Sequence, residues 1–410
     1  MARKVELLCP AGDMEKLQMA VLYGADAVYC GMKEFSLRTA ASNFTFDELC
    51  QGVDFAHERG KKVYVATNII PDNQEISVFE NAVKAAVDAG ADALIIADPG
   101  AFSIAQRYID KIDIHISTQA NNVNYEALNF WHRLGARRVV LARELGFEDI
   151  RLIREKVSLE LELEMFVHGA MCISYSGRCL LSSYMASRDS NHGDCAHPCR
   201  WNYTLMEEKR PGEFFPVYED EKGTYIFNSK DLCLIEHLHE LCAMGINSFK
   251  IEGRVKNDYY VAAVTKAYRQ ALDSYLSNPQ QYVFDPDLYK ELCKVSHRFY
   301  FKGVNGPADG PNAQVYTSNT YIRKYDVVGI VESFSEDSGI SLVRQRNKFY
   351  KGDLLEILPF RGPFLSHKAD FLKDADGNDI ESTPHADMLF QLKTDFPLEP
   401  GMVIRKQREE

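Results

Sequence analysis

The sequence lacks long apolar runs and has more acidic than basic side chains. No apolar stretch approaches the roughly 20 residues needed to cross a bilayer, and the N-terminal segment MARKVELLCPAGD becomes polar too early for a secretory signal. We therefore expect a cytoplasmic protein that makes no membrane contact. The formal net charge of −12 disfavours non-specific binding to nucleic acid or anionic lipid, although it permits a locally basic surface.

Several common catalytic motifs are also missing. The sequence has no HExxH zinc motif, no GxSxG nucleophile elbow and no GxxxxGK[ST] phosphate loop. No GxGxxG fingerprint follows the first predicted strand, which disfavours a doubly wound open sheet. Local motifs therefore give no support to these familiar hydrolase and nucleotide-binding chemistries.

Cysteine, in contrast, is plentiful. The chain has 10 cysteines in 410 residues, and a reducing cytoplasm argues against a disulfide framework. Five lie singly in apolar patterns and are expected to be buried small hydrophobic residues, namely Cys9, Cys30, Cys50, Cys242 and Cys293.

The other five cysteines lie in or after one segment rich in Gly, Ser, Asn and His. They are Cys172, Cys179, Cys195, Cys199 and Cys233. All-thiolate ligation suits an iron–sulfur cluster and also structural zinc, so a metal site is expected here. The zinc-ribbon spacing CxxC…CxxC is absent, so spacing does not choose between the metals. Unligated thiols, which oxidise readily in exposed loops, are the alternative.

The first 300 residues alternate short apolar runs with amphipathic stretches. Strands are predicted for Glu6 to Cys9, Ala27 to Cys30, Lys62 to Asn68, Ala93 to Ala97, Asp113 to Ser117, Arg138 to Ala142, Leu161 to Val167 and Ser248 to Glu252. The turns GADAVYCG, GADALIIADPG, LGARRVVLAREL and MGINSFKIEGR repeat one pattern of Gly, apolar strand and polar end. Eight such units predict a TIM-like (β/α)8 barrel over residues 1–300.

The seventh unit and the C-terminal part depart from this pattern. A cysteine-rich insertion, residues 172–229, follows strand seven, with a hairpin predicted between Trp201 and Phe227 and a helix beginning near Lys230. Helices are also predicted over Tyr259 to Tyr275 and Tyr289 to Phe301. Residues 301–319 form a Gly- and Pro-rich linker. Short β-runs over residues 320–410 predict a small antiparallel β-barrel domain.

All eight predicted strand ends are polar, and barrel enzymes build their sites from such ends. The candidate site residues there include Ser117, Gln119, Arg143, His168, Glu252 and Arg254. Residues such as Asp13 and Asn124 are instead expected to act only as helix N-caps. Glu252 and Arg254 share one strand face by their two-residue spacing, so they form either a structural ion pair or an anion clamp.

Glu164 is a further candidate because it lies inside an otherwise apolar strand. A carboxylate that faces the barrel interior must find a cation or take up a proton. The alternative is an outward-facing Glu164 that pairs with a lysine on a helix. A Cys172–His168 nucleophile pair is conceivable, although nothing local singles it out.

The segment EMFVHGAMCISYSGRCLLS resembles the defining motif of the collagenase-like peptidase family U32. The pattern Glu-x-Phe-x-x-Gly-small-x-Cys, then Gly-x-Cys, then Ser is met by Glu164, Phe166, Gly169, Ala170, Cys172, Gly177, Cys179 and Ser182. STQANNVN, HPCRW, SKDLC and KIEGRVK are similar to other blocks of the family, and the resemblance covers the whole predicted barrel.

The resemblance implies two activities of different classes. The chain is most similar to the branch that hydroxylates the wobble uridine of tRNA at C5 with prephenate as co-substrate. It would then hold a 4Fe–4S cluster, in preference to zinc, on Cys172, Cys179, Cys233 and either Cys195 or Cys199. The mouth would take a flipped tRNA base, and an arginine rim of Arg143, Arg178, Arg200 and Arg254 would bind phosphate or the co-substrate carboxylates.

The family name implies the second activity, which is cleavage of a protein or peptide substrate such as collagen. That activity would use a cysteine or a metal-bound water, and the family offers no agreed nucleophile. A third alternative is a cluster-binding partner subunit with no activity of its own.

Overall fold

The computed structural model describes residues 5–33, 43–171, 179–188, 195–198, 218–220, 223–225, 230–303 and 321–408. The strands of its N-terminal part are β1 (Glu6–Pro10), β2 (Ala27–Cys30), β3 (Lys62–Ala66), β4 (Ala93–Ile96), β5 (Asp113–Ile116), β6 (Arg138–Val140), β7 (Glu162–Ala170), β8 (Tyr218–Asp220), β9 (Gly223–Tyr225), β10 (Asp231–Cys233), β11 (Ser248–Ile251) and β12 (Tyr300–Phe301). The helices are α1 (Met14–Leu22), α2 (Phe46–His57), α3 (Ile76–Asp88), α4 (Pro99–Ala105), α5 (Tyr125–Arg133), α6 (Phe147–Lys156), α7 (Leu181–Ala186), α8 (Leu238–Ala243), α9 (Asp258–Ser277) and α10 (Pro286–Leu292).

Eight parallel strands close into a barrel. Strands β1 to β7 pair in chain order, and β11 closes the ring by pairing with both β1 and β7. The predicted TIM-like barrel is therefore confirmed. In the four repeated turns, Gly24, Gly90, Gly135 and Gly245 all adopt positive φ, which explains why the same residue recurs where each helix ends.

The helix starts follow local capping chemistry. The Asp13 carboxylate accepts a hydrogen bond from the Lys16 amide, and the Asn124 side chain accepts one from the Ala127 amide. Their expected role as N-caps is confirmed. None of the helices in the described part of the chain is both long and apolar enough to cross a membrane.

The chain after β7 differs from the sequence-based prediction. The helix predicted to begin near Lys230 is wrong, because residues 231–233 form β10, which runs antiparallel to the end of β7 with Cys233 opposite His168. The helix of this unit, α8, begins at Leu238. A buried ion pair between Asp231 and Arg298, at 2.6 Å, holds β10 beside β12. The helix predicted over Tyr289 to Phe301 is also too long. Helix α10 stops at Leu292, and Tyr300 and Phe301 form β12.

Within the predicted hairpin region, β8 and β9 form a two-stranded antiparallel sheet. The linker predicted over residues 301–319 falls mostly outside the described residues.

The C-terminal part folds as a separate antiparallel sheet in the form of a half-barrel. Its strands are β13 (Tyr325–Ser335), β14 (Ile340–Gln345), β15 (Leu354–Leu358), β16 (Leu365–Lys368), β17 (Leu372–Asp374), β18 (Leu389–Lys393) and β19 (Val403–Gln407). They are ordered β16-β15-β19-β13-β14-β18-β17. The alternating inward residues form their own hydrophobic core, which includes Val343, Phe349, Phe390 and Ile404.

Buried polar contacts fix this sheet to the barrel. Arg405 of β19 is fully buried and donates to Glu291 of α10 (2.7 Å), to Glu356 of β15 (2.6 Å) and to the Tyr259 hydroxyl of α9 (3.0 Å). The Tyr23 hydroxyl donates to the Leu358 carbonyl at 2.8 Å. Because these groups have left water, losing any partner would be costly, so the sheet and the barrel hold a defined arrangement.

Candidate active site at the C-terminal end of the barrel

The floor of the site is a charged network inside the barrel. Glu164 is 0% exposed and lies 3.0 Å from Nη1 of Arg138 on β6 and 3.1 Å from Nζ of Lys250 on β11. The alternative of an outward-facing Glu164 paired with a helix lysine is wrong, because its partners come from the two neighbouring strands. With both cations so close, Glu164 is a supporting residue below the mouth.

Arg138 also binds two further acids in this network. It donates to Glu6 at 2.6 Å and to Glu162 at 2.7 Å. Burial pushes the pKa of Glu6 upward, but the charge and hydrogen bonds of Arg138, together with the hydroxyls of Tyr64 and Ser248, outweigh it, and the pKa of Glu6 is lowered. Burial lowers the pKa of Lys250 in spite of Glu164 beside it.

Above this floor, Arg143 and Glu252 form an ion pair at the mouth. Arg143 Nη2 donates to Glu252 Oε2 at 2.9 Å, and Nη1 donates to the Ala170 carbonyl at 2.6 Å. Its guanidinium carbon lies 3.8 Å from the centroid of the Phe166 ring. The structure therefore brings together two predicted site residues that are 109 positions apart. The partner of Glu252 is Arg143, which leaves Arg254 out of the pair.

Arg254 is the unusual residue of the mouth. It is 7% exposed, and its Nη1 atom has no hydrogen-bond partner among the described residues. Two glycines make room for it. A Cβ on Gly31 would lie 2.9 Å from Nη1, and a Cβ on Gly12 would lie 2.2 Å from the Arg254 carbonyl oxygen. A buried guanidinium without an acid is expensive, so this position is suited to binding an anionic ligand.

Amide oxygens lie at the ends of β3 and β5. The Ser117 hydroxyl accepts from the Asn68 side chain at 3.1 Å and from the Gln119 amide at 3.2 Å. The Asn68 Oδ1, Gln119 Oε1 and Asn121 Oδ1 atoms are buried, and the described residues offer them no donor. They can accept hydrogen bonds from N–H groups of a ligand. Asn121 was missed in the sequence, although its left-handed conformation, φ 55°, is typical of Asn.

His168, another predicted site residue, is enclosed by tyrosine rings. It is buried, and its Nδ1 atom lies 3.3 Å from the Tyr268 hydroxyl. Burial lowers its pKa to about 3, so it is neutral near pH 7. Its ring also packs against Tyr260 and Tyr300. The conceivable Cys172–His168 pair stays a prediction, because Cys172 lies outside the described residues.

The predicted metal ligands are only partly described. Cys172 and Cys199 lie outside the described residues, as do Arg178 and Arg200. Cys179 and Cys195 are half-buried. Cys233 is buried with its Sγ atom 3.9 Å from the Tyr268 hydroxyl, and burial raises its pKa to about 12. In the part of the chain that the structure covers, no three metal-binding side chains lie together.

The available donors fit a thiophilic metal group by their chemistry. All five predicted ligands are thiols, which suit iron–sulfur clusters and zinc. At Cys233 the bound metal would have to displace a tightly held proton. Of the five cysteines expected to be buried, Cys9 and Cys30 are buried, whereas Cys50, Cys242 and Cys293 are half-buried.

The chain is similar to proteins of known families along almost its whole length. The model described as peptidase family U32 matches residues 12–310, and that of the peptidase family U32 C-terminal domain matches residues 323–405.

Three relatives illustrate the range of names among similar proteins. The tRNA hydroxylation protein P1 of Bacillus subtilis (strain 168) is 40% identical, with 98% of this chain and 95% of the relative covered. The tRNA hydroxylation protein P of Escherichia coli (strain K12) is 37% identical, with 93% and 92% covered. The 23S rRNA 5-hydroxycytidine C2501 synthase of Escherichia coli (strain K12) is 34% identical, with 76% of this chain and 48% of the relative covered.

Proposed function

This chain belongs to peptidase family U32, and we propose that it is an enzyme that hydroxylates RNA. Two relatives that match over more than nine-tenths of their own length are named tRNA hydroxylation proteins. The third relative is named for the synthesis of hydroxycytidine in rRNA. The structural observation that carries the proposal is Arg254, a buried cation without an acidic partner among the described residues at the mouth of the barrel.

We propose further that the substrate is the wobble uridine of tRNA and that prephenate is the co-substrate. A guanidinium such as that of Arg254 can bind a carboxylate in a bidentate manner, which suits a dicarboxylic acid. The N3–H group of a flipped uracil needs an acceptor, and the buried oxygens of Asn68 and Gln119 offer one. The Arg143–Glu252 pair would orient these ligands, because both side chains are held by fixed neighbours.

We also propose that Cys172, Cys179, Cys233 and one of Cys195 or Cys199 hold a 4Fe–4S cluster, in preference to zinc. Such a cluster supplies electron transfer when it is bound. Its support is the donor chemistry and the path of the chain. Strand β10 pairs Asp231 with Ala170, so the chain that carries Cys233 returns to the exit of β7, two residues before Cys172.

Proteolysis is the alternative function, and the family name is its main support. Among the described residues, His168, which lies within the motif segment, gives no help to a nucleophile. His168 is buried against Tyr268, and its pKa is lowered to about 3. Cleavage of gelatin that is abolished by Cys172→Ser would favour this alternative.

Mass spectrometry of tRNA nucleosides tests the proposal. A deletion strain should lack hydroxylated uridine, and the wild-type gene should restore it. Arg254→Gln should fail to restore it, while Arg254→Lys should restore it partly because the charge is kept. Arg151→Gln is a matched control, since Arg151 is exposed and pairs with Glu148 on α6. Unchanged tRNA in the deletion strain would exclude the tRNA assignment.

A further inference from the structure

We propose that the surface where the eighth barrel unit meets the C-terminal sheet binds single-stranded RNA next to the base being modified. This rests on the proposed function. The surface is called the rim surface here, and its members are Lys256, Tyr321, Lys348, Tyr350 and Lys351. It combines exposed aromatic rings with lysines, the pairing that lets proteins hold unpaired nucleotides.

The first half of the rim surface pairs Lys256 of the barrel with Tyr321, at the start of the C-terminal part. The Lys256 Nζ atom lies 4.3 Å from the centroid of the Tyr321 ring, and Tyr321 is 43% exposed. Lys256 follows Arg254 by two residues, so it is on the same strand-end loop as the proposed anion site. A β-bridge between His297 and Ile322 fixes the backbone next to Tyr321.

The second half belongs to the C-terminal sheet. The Lys348 Nζ atom lies 4.7 Å from the Tyr350 ring centroid, and Tyr350 is 52% exposed. Between them, Phe349 is fully buried and packs edge-on against Phe390. Because alternate residues point to opposite faces of an extended chain, the buried Phe349 anchors a segment that presents Lys348 and Tyr350 to solvent.

Arg346 places this segment at the mouth of the barrel. It binds Glu15 and lies 4.0 Å from Asp258. These two acids are in the first turns of α1 and α9, the helices that follow β1 and β11, so they mark the C-terminal end of the barrel. A cleft of about 120 Å³ runs between α9 and the sheet, and Asp258, Arg323 and Arg346 are among its lining residues.

Several acids of this region bind cations other than the three lysines. Glu15, Asp258 and Asp387 lie beside Arg346, Asp326 binds Arg323, and Asp353 binds Lys406. Within the described ranges, Lys256, Lys348 and Lys351 have no acidic partner. In a chain of net charge −12, three lysines that form no ion pair within the described residues, beside two exposed aromatic rings, match a phosphate backbone with unstacked bases.

Fluorescence anisotropy with the full chain and a labelled RNA hairpin tests this surface. The hairpin has an unpaired loop, its fully paired duplex counterpart serves as a second probe, and salt is varied. Tyr350→Ala should weaken hairpin binding about ten-fold without changing the salt dependence, because stacking is lost. Tyr350→Phe should bind as tightly as the wild type. Lys348→Gln should lower the slope of log affinity against log salt by about 0.7.

Arg59→Gln is the matched control. Arg59 lies 3.7 Å over the Phe55 ring, so it is also a surface cation–aromatic pair, but it precedes β3 and is at the opposite end of the barrel. It should leave affinity and slope unchanged. Circular dichroism checks that each variant is folded.

The outcomes separate this inference from the proposed function. A wild-type chain that binds no RNA overturns both. A chain that binds the hairpin and modifies RNA, with Tyr350→Ala and Lys348→Gln equal to the wild type, overturns only the rim surface. Equal binding of the duplex, with no effect of Tyr350→Ala, would assign the surface to backbone contacts alone and would also overturn it.

Discussion

Replacing Arg138 by Met should destabilise the barrel strongly, because the side chain holds buried acids. Removing one partner from a buried ion pair costs about 3–5 kcal/mol. Here the acids keep other partners, which reduces the loss in the free energy of unfolding. Glu164 keeps Lys250 at 3.1 Å, and Glu6 keeps the hydroxyls of Tyr64 at 2.6 Å and Ser248 at 2.8 Å. We therefore expect a loss of about 3 kcal/mol in the free energy of unfolding, at the lower end of that range.

The neighbouring Arg137 provides a matched control. Its side chain is 51% exposed and pairs with Glu162 at 3.2 Å. Exposed pairs contribute about 1 kcal/mol or less, so Arg137→Met should have a small effect. Urea unfolding followed by far-ultraviolet circular dichroism measures both variants. The reasoning is refuted if the two substitutions cost the same.

The loss should also depend on pH. In the wild type, Arg138 and the Tyr64 and Ser248 hydroxyls together outweigh burial and lower the folded-state pKa of Glu6, so this stabilisation is present above the unfolded pKa and disappears as pH falls through the folded one. In Arg138→Met, the largest opposition to burial is lost, so the pKa of Glu6 should be higher than in the wild type. Protonation of Glu6 then removes the buried negative charge that destabilises the variant. Its deficit relative to the wild type should narrow as pH falls from neutral toward the ordinary carboxyl pKa, and a constant deficit would contradict the assignment.

Three further substitutions, one of them with a matched control, test other parts of the fold. Burial lowers the pKa of Lys266 to about 8, so wild-type stability should rise by about 1 kcal/mol between pH 7 and pH 9, and Lys266→Met should abolish that rise in urea titrations. Gly169→Ala should lower the free energy of unfolding by about 1–3 kcal/mol and reduce RNA modification, since φ is +111° and the new Cβ would lie 2.7 Å from that of Glu252. Its control is Gly377→Ala, where φ is +89° but the space around the residue is open. Thermal melts of both variants should show the smaller loss of stability for Gly377→Ala. Arg405→Met should leave Glu291 and Glu356 with Lys294 as their remaining cation at the seam with the barrel and speed hydrogen exchange in the C-terminal sheet, whereas unchanged exchange would show that the seam is held by other contacts.

The barrel could be predicted from sequence because its signals are local. Each strand is a short apolar run that follows a glycine turn, and the repeat of that turn gives the count of eight. The same reasoning failed for β10. A strand of three residues has no periodicity of its own, and it is defined by pairing with β7 and by the bond between Asp231 and Arg298, 67 positions apart.

The candidate site, like the fold, could be predicted from the sequence only in part. Polar strand ends predicted where Arg143, Glu252 and Arg254 would gather, because the fold brings all strand ends to one face. Which of them pair could not be predicted, since the Arg143–Glu252 distance depends on how two distant strands are placed. Arg254 lacks an acidic partner among the described residues because Glu252 pairs with Arg143 instead. The thiol ligand set stays a prediction, as Cys172 and Cys199 lie outside the described residues.

The buried contacts of Arg405 and Tyr23 fix the position of the C-terminal sheet relative to the barrel. A sheet attached only by a linker would sample many distances from the barrel, whereas these contacts set one spacing between the C-terminal sheet and Arg254. An RNA that reaches both places must match that spacing in its own three-dimensional shape. Selection among RNAs can then depend on the separation of a loop from its stem, with no base read outside the mouth.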